Sequence, residues 1–173
     1  GKGSLVSETE RTEMALRCQA ICESYSVPFI INDEIELALA ISADGIHVGQ
    51  EDRKIQEVLS LFPDKIVGLS CTTIEEVAAA NSLEQISYYG LGPVFGTLSK
   101  ADAKPAVGVE KLAQLVKLSK KPSVAIGGIS VENIGSISAS GVDGAAVIAA
   151  ITRAEDIFEA VKQLKHGRNK NET

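Results

Sequence analysis

Two carboxylates carry the first chemical suggestion in this chain. Asp33 closes the run Phe29-Ile30-Ile31-Asn32-Asp33, and Asp52 closes Ile46-His47-Val48-Gly49-Gln50-Glu51-Asp52. Short β-branched runs of this kind form strands buried on both faces. Between them a one-turn helical pattern (Ile35, Leu37, Ala38, Ile41) and the turn Ala43-Asp44-Gly45 return the chain to run in the same direction. Both acids therefore leave consecutive parallel strands at the carboxyl edge, where α/β sheets gather their ligands. Two hard-oxygen donors there suit a shared Mg²⁺, which takes one or two carboxylates together with substrate phosphates. The same acids serve equally well as helix N-caps, Asp33 before Glu34 and Asp52 before Ile55, and residue type alone leaves both roles open.

A second feature suits an anion. Gly127-Gly128 follows the strand pattern Ser123-Val124-Ala125-Ile126, and Ala149-Ala150 follows Ala145-Ala146-Val147-Ile148. In (β/α)8 enzymes the loops after the last two strands, with a short helix N-terminus, hold phosphate through backbone N–H groups. Glycine belongs where the backbone must approach an anion with no Cβ in the way.

The elements that must position these residues alternate along the chain. Strand patterns lie at residues 29–31, 46–48, 66–69, 86–91, 123–126 and 145–148, separated by six or seven helices, an order that means parallel strands and right-handed crossovers. The first helix is expected over residues 10–25, with Met14, Leu16, Ile21 and Cys22 among its apolar positions, after a loop at 1–9. Thr73 and Glu76 form a capping-box pattern. Residues 97–108 make a long loop with Ser99, Lys100 and Lys104, and the tail from His166 is expected to fray. Six strands in one domain over residues 1–173 leave two architectures, an open doubly wound sheet or an incomplete (β/α)8 TIM barrel lacking two strands.

Composition narrows the partners. The 173 residues are 45% hydrophobic and 23% charged, as in an ordinary soluble globule, and the net charge of −6 argues against nucleic acid. No apolar run approaches the roughly 20 residues that span a bilayer, and no signal-peptide pattern opens the chain, so no membrane partner and a cytoplasmic location are expected. Three cysteines build no disulfide framework. Cys18 and Cys22, four apart, are expected on one core-facing helix face, and Cys71 near a pocket. His47, between apolar neighbours, reads as a packed strand histidine.

The segments IIND (30–33), DGIHVGQED (44–52), GLS (68–70), YGLGPVFGT (89–97), AIGGI (125–129) and GVDGAAVIAAI (141–151) together resemble thiamine phosphate synthase. The resemblance implies a TIM barrel and a transferase of thiamine biosynthesis, joining hydroxymethylpyrimidine diphosphate to thiazole phosphate with loss of pyrophosphate. It implies Mg²⁺ as cofactor, with Asp33 and Asp52 as ligands. Asn32, Ser70 and Lys100 match residues that hold the diphosphate, Ser70 and Lys100 acting in catalysis. Thr97 and Ser99 match contacts to the thiazole phosphate, Ser99 standing where threonine is common. Gly128 and the amides of Ile148 and Ala149 match the phosphate cup, Ala149 lacking the hydroxyl of a frequent serine. The family opens with a β-α-β unit bearing Gln-x-Arg-x-Lys; the sequence begins where that motif would end, with Lys2 as its remnant. Six of eight strands are thus expected, with exposed edges that favour pairing with another copy of the chain as a homo-oligomer.

Two alternatives accompany this reading. A catalytically silent phosphate-binding remnant would follow from the missing unit. A thiazole tautomerase resembles the synthase but places a histidine where this chain has Pro93 and loses the paired acids. Thiazole phosphate incubated alone with the protein is therefore expected to come back unchanged; isomerisation seen by NMR without any pyrimidine diphosphate would favour the tautomerase.

Overall fold

Parallel strands need a crossover of a dozen or more residues, and helices supply it in this chain. The computed structural model describes residues 7–50, 55–96 and 105–169, among which there are six strands and eight helices. Contacts group the chain into two units, Gly1–Gly68 and Leu69–Thr173.

In the first unit α1 (Glu8–Ser24) leads to β1 (Ile30–Asn32), α2 (Ile35–Ala40), β2 (Gly45–Val48), α3 (Ile55–Leu61) and the start of β3 (Ile66–Cys71). The strand order is β1-β2-β3, and β1 pairs with β2 in parallel, Ile31 opposite Ile46. Asp44 pins the amino end of this pairing: its Oδ2 accepts from the Phe29 N–H at 2.8 Å and its carbonyl from the Ile66 N–H at 3.0 Å. A Cβ on Gly45 would lie 2.2 Å from the Ile66 carbonyl oxygen, so only glycine lets these strands meet. Ile46, Val48, Val58, Leu59 and Val67 form the buried core.

α1 departs from expectation. It begins two residues early because Ser7 and Glu10 form a capping box, the Ser7 hydroxyl accepting from the Glu10 N–H and the Glu10 carboxylate from the Ser7 N–H. That exchange holds the Glu10 carboxyl below its usual range. Met14, Leu16 and Ile21 are 57, 46 and 61% exposed, and Cys18 is exposed rather than core-facing. The reason is helical phase. Arg11, Ala15 and Gln19, four apart, make the face that meets the unit, Ala15 buried, Gln19 donating to the Ile41 carbonyl at 3.2 Å, and Arg11 pairing with Glu34 at 3.0 Å.

In the second unit the order is β3-β4-β5-β6, with α4 (Ile74–Ala80), β4 (Tyr88–Leu91), α5 (Gly108–Leu118), β5 (Ser123–Ile126), α6 (Ile134–Ser138), β6 (Gly144–Ala146), α7 (Ala149–Thr152) and α8 (Ile157–Asn169). β4 pairs with β5 and β5 with β6, both in parallel. The Thr73–Glu76 capping box is present as expected. Strict alternation ends at β6, which two helices follow, and α8 continues through His166 to Asn169 where a frayed tail was expected. The Asp44 arrangement recurs: Asp143 precedes Gly144, and its Oδ2 accepts from the Ser123 N–H at 2.8 Å, at the first residue of β5.

Asn81 ties the far edge of this unit. Its Oδ1 accepts from the Tyr89 hydroxyl and the Lys120 N–H, both at 3.0 Å, while its Nδ2 donates to the Leu118 carbonyl at 3.0 Å. Tyr89 is fully buried, so losing this partner leaves a hydroxyl unpaired in the core. Asn81→Ala is expected to lower unfolding stability by about 2–3 kcal/mol and Tyr89→Phe by about 1 kcal/mol, measured by urea denaturation.

Candidate functional site

β1 ends at Asn32, and the next residue leaves the strand in a conformation few side chains adopt. Asp33 has φ +65°, in the left-handed region that aspartate tolerates better than most residues. Three backbone hydrogen bonds hold it there. The Asp33 N–H donates to the His47 carbonyl at 2.9 Å, extending the β1–β2 pairing by one residue. The Glu34 N–H donates to the Asn32 carbonyl at 2.8 Å and the Ile35 N–H to the Asp33 carbonyl at 3.1 Å. The side chain is held as well, since Asn32 Nδ2 donates to Asp33 Oδ2 at 2.7 Å. An amide donor against a carboxylate oxygen fixes its rotamer as second-sphere groups do for metal-ligating acids.

The N-cap position of α2 falls on Glu34, one residue past Asp33, and the Glu34 side chain makes no capping bond. It accepts instead from Arg11 Nη1 at 3.0 Å through both oxygens. His47 is half-buried on β2, in keeping with a packed strand histidine. Asp52, expected as the second metal ligand, lies outside the described residues. Among the described residues no group of three or more His, Cys, Asp or Glu side chains gathers as a metal site.

In the second unit Ser70 lies half-buried near the end of β3, whereas Cys71 beside it is wholly buried, which removes the thiol from any open cavity. Alternation along the strand explains the difference, because neighbouring side chains point to opposite faces. One residue on, the Thr72 hydroxyl donates to the Gly92 carbonyl at 2.8 Å, joining the exits of β3 and β4.

The exits of β4 and β5 are stitched together along their backbones. The Val94 N–H donates to the Ile126 carbonyl at 2.9 Å and the Phe95 N–H to the Gly127 carbonyl at 3.0 Å. Gly127 and Gly128 have φ +99° and +64°. A Cβ on Gly127 would sit 2.5 Å from Pro93 Cβ, and one on Gly128 2.6 Å from the Gly96 carbonyl oxygen and 2.7 Å from Phe95 Cβ. Beyond the glycines, Asn133 Nδ2 donates to the Gly128 carbonyl at 2.9 Å and Asn133 Oδ1 accepts from the Ser130 N–H at 2.8 Å. The chain returns to the same place after its long loop: the Val107 and Gly108 N–H groups donate to the Pro93 and Val94 carbonyls at 2.8 and 2.9 Å. Thr97, Ser99 and Lys100, expected in that loop, lie outside the described residues.

After β6, Ile148 takes the N-cap position of the single-turn α7 and is 58% exposed. Ala149 and Ala150 open that turn, where amides have no acceptor within the helix and suit an anion. Thr72 and Asn133 were not singled out from the sequence. A threonine after a strand and an asparagine before a helix read as caps; only the hydrogen bonds to Gly92 and Gly128 show where these side chains turn.

Residues 4–151 match the family model described as thiamine monophosphate synthase. The thiamine-phosphate synthase of Listeria monocytogenes serotype 4a is 48% identical over 168 residues, covering 96% of this chain and 78% of that protein. Among solved structures, the thiamine phosphate pyrophosphorylase of Pyrococcus furiosus superimposes with a TM-score of 0.86 at 34% identity, covering 98% of this chain and 80% of that one. The 3-hexulose-6-phosphate synthase of Salmonella typhimurium, at 20% identity and a TM-score of 0.65 over 89% of this chain and 79% of that one, shares the fold.

The glycine joint yields a paired expectation. Gly127→Ala combines a left-handed backbone with a collision against Pro93 and is expected to cost about 2–4 kcal/mol. Gly96→Ala meets nothing within 4 Å and has an ordinary φ, so it is expected to change stability by less than about 0.5 kcal/mol. Thermal unfolding of the two variants beside the parent protein checks both values.

Proposed function

The chain belongs to the thiamine monophosphate synthase family, transferases of thiamine biosynthesis, and from that premise we propose that it joins hydroxymethylpyrimidine diphosphate to thiazole phosphate, releasing pyrophosphate, with Mg²⁺ as cofactor. The observation that carries the metal part is Asp33, a carboxylate held in a left-handed backbone with its Oδ2 oriented by Asn32. Strain of about 1–3 kcal/mol at a non-glycine residue persists where surrounding bonds over-determine it, and such residues concentrate at functional sites. Hard oxygen donors of this kind fit Mg²⁺. Asp33 would hold it together with Asp52.

Breaking the C–O bond of the pyrimidine diphosphate leaves positive charge on the benzylic-type carbon and negative charge on the departing oxygens. When bound, Mg²⁺ supplies positive charge to those oxygens as the bond opens. Ser70 and Lys100 share that task as donors to the same oxygens, and Asn32 does so while keeping Asp33 oriented. The thiazole nitrogen then attacks the carbon, and its phosphate is gripped by backbone amides at Gly128, Ile148 and Ala149, with Thr97 and Ser99 from the long loop. An anion held by fixed N–H groups positions the nucleophile without any general base, consistent with a chain holding only 2 histidines.

The test is direct coupling of the two substrates with chromatographic detection of thiamine phosphate and pyrophosphate. Equimolar products are expected with Mg²⁺ and none after chelation. Asp33→Ala is expected to lower turnover by about 100-fold or more, with an unchanged circular-dichroism spectrum. Asn32→Ala is expected to raise the Mg²⁺ concentration for half-activity by about tenfold. Full activity in Asp33→Ala would remove the metal role, and absence of product from the parent protein would remove the coupling reaction.

A further inference from the structure

Asn133 stands where a helix cap belongs and does not cap. It is the N-cap residue of α6, a position at which an asparagine oxygen ordinarily accepts from the second or third helical N–H, yet its side chain makes no such bond. The side chain turns back to the preceding loop, Nδ2 to the Gly128 carbonyl and Oδ1 to the Ser130 N–H. A carboxamide is suited to this task because one planar group offers a donor and an acceptor side by side. The start of α6 is served by the backbone instead, the Asn133 carbonyl accepting from the Ser136 N–H at 3.1 Å.

The consequence lies in the direction of the peptide groups. In a trans peptide the carbonyl and the N–H point in opposite directions. The Gly127 carbonyl is claimed by the Phe95 N–H, so the Gly128 N–H points away from Phe95. The Gly128 carbonyl is claimed by Asn133, so the Ile129 N–H points away from Asn133. Glycine has the freedom to turn over, and a flipped Gly128–Ile129 peptide would offer a carbonyl oxygen where a donor is needed. Toward an anion, that exchanges attraction for repulsion.

Resting on the reading that Gly128 faces the thiazole phosphate, we infer that Asn133 is a positioning residue for that anion: it locks the Gly128–Ile129 peptide so that N–H groups, not carbonyls, form the phosphate-facing edge. Asn133 acts on the substrate through the Ile129 N–H that this peptide carries, beside the Gly128 N–H, which the Phe95–Gly127 bond orients. Its removal shifts the affinity for the phosphorylated thiazole specifically, leaving recognition of the pyrimidine diphosphate, a task assigned to other residues, in place.

Asn133→Ala and Asn133→Asp separate this from a merely structural role. The alanine variant loses both bonds; the aspartate variant keeps an acceptor for the Ser130 N–H and loses the donor to Gly128. Calorimetric titration with thiazole phosphate, without metal or second substrate, is expected to show binding weakened about tenfold in both variants. Thiazole alcohol, which lacks the phosphate, is expected to bind parent and variants alike. In steady state the KM for thiazole phosphate is expected to rise while that for pyrimidine diphosphate stays within about twofold. Unchanged thiazole phosphate affinity in both variants, with a parent protein that binds and couples normally, would overturn the inference and leave the proposed function standing. Equal weakening of alcohol and phosphate would overturn it too, as general loosening of the loop. A parent protein that fails to bind thiazole phosphate would overturn the proposed function, and this inference with it.

Discussion

Two loops of the second unit touch at a distance only glycine permits. Pro93, Phe95 and the Gly96 carbonyl lie where side chains at 127 and 128 would have to be. The contact does more than fill space. Because the backbones lie this close, Val94 and Phe95 reach the carbonyls of Ile126 and Gly127, and the exits of β4 and β5 become one hydrogen-bonded piece. Val107 and Gly108 then fasten the far end of the long loop to Pro93 and Val94, so both its ends spring from that same piece. Thr72 adds the exit of β3 through Gly92. A methyl group on either glycine would push against Pro93 or Phe95, and so against the Val94 and Phe95 bonds that join the two exits.

The first unit solves a different problem with the same means. A carboxylate that is to hold a cation, the role proposed for Asp33, gains from being ordered beforehand, because ordering it afterwards costs binding energy. Asp33 is kept in a costly backbone conformation by three main-chain hydrogen bonds and an amide from its own neighbour. Glu34 is drawn toward α1 by Arg11, at partly exposed positions where such a pair contributes about 0.2–1 kcal/mol.

Much of this was legible in the residues and some was not, for physical reasons. β1, β2, β3 and β5 announced themselves through β-branched residues, whereas β6 is only Gly144–Ala146, short of the Val147 and Ile148 that suggested it. Gly127-Gly128 was legible as a place for an anion, and its close approach to Pro93 and Phe95 was not. The family resemblance named Asn32, Asp33 and Ser70 through short motifs that carry their own spacing. The phase of α1 was misread because Met14, Leu16 and Ile21 are apolar, while the face that meets the unit is built on Arg11, Ala15 and Gln19. The capping box at Ser7 and Glu10 had a signal, a serine followed three residues later by glutamate, hidden in a stretch polar enough to pass for loop. Thr72 and Asn133 had none, since cap-forming residue types disclose nothing about the direction in which a side chain turns.

The Asp-Gly pair before β2 and again before β6 performs one task twice. In each case the aspartate fastens the amino end of the strand before it in the sheet, through the Phe29 N–H in the first unit and the Ser123 N–H in the second. Within each unit, registration between neighbours is thereby settled at the strands' amino ends, opposite the carboxyl ends that carry Asp33 in the first unit and the glycine joint in the second. Because the aspartates hold the strands in register from their amino ends, loop residues beyond the carboxyl ends, the glycine joint excepted, can change with the chemistry they serve while the strands keep their alignment.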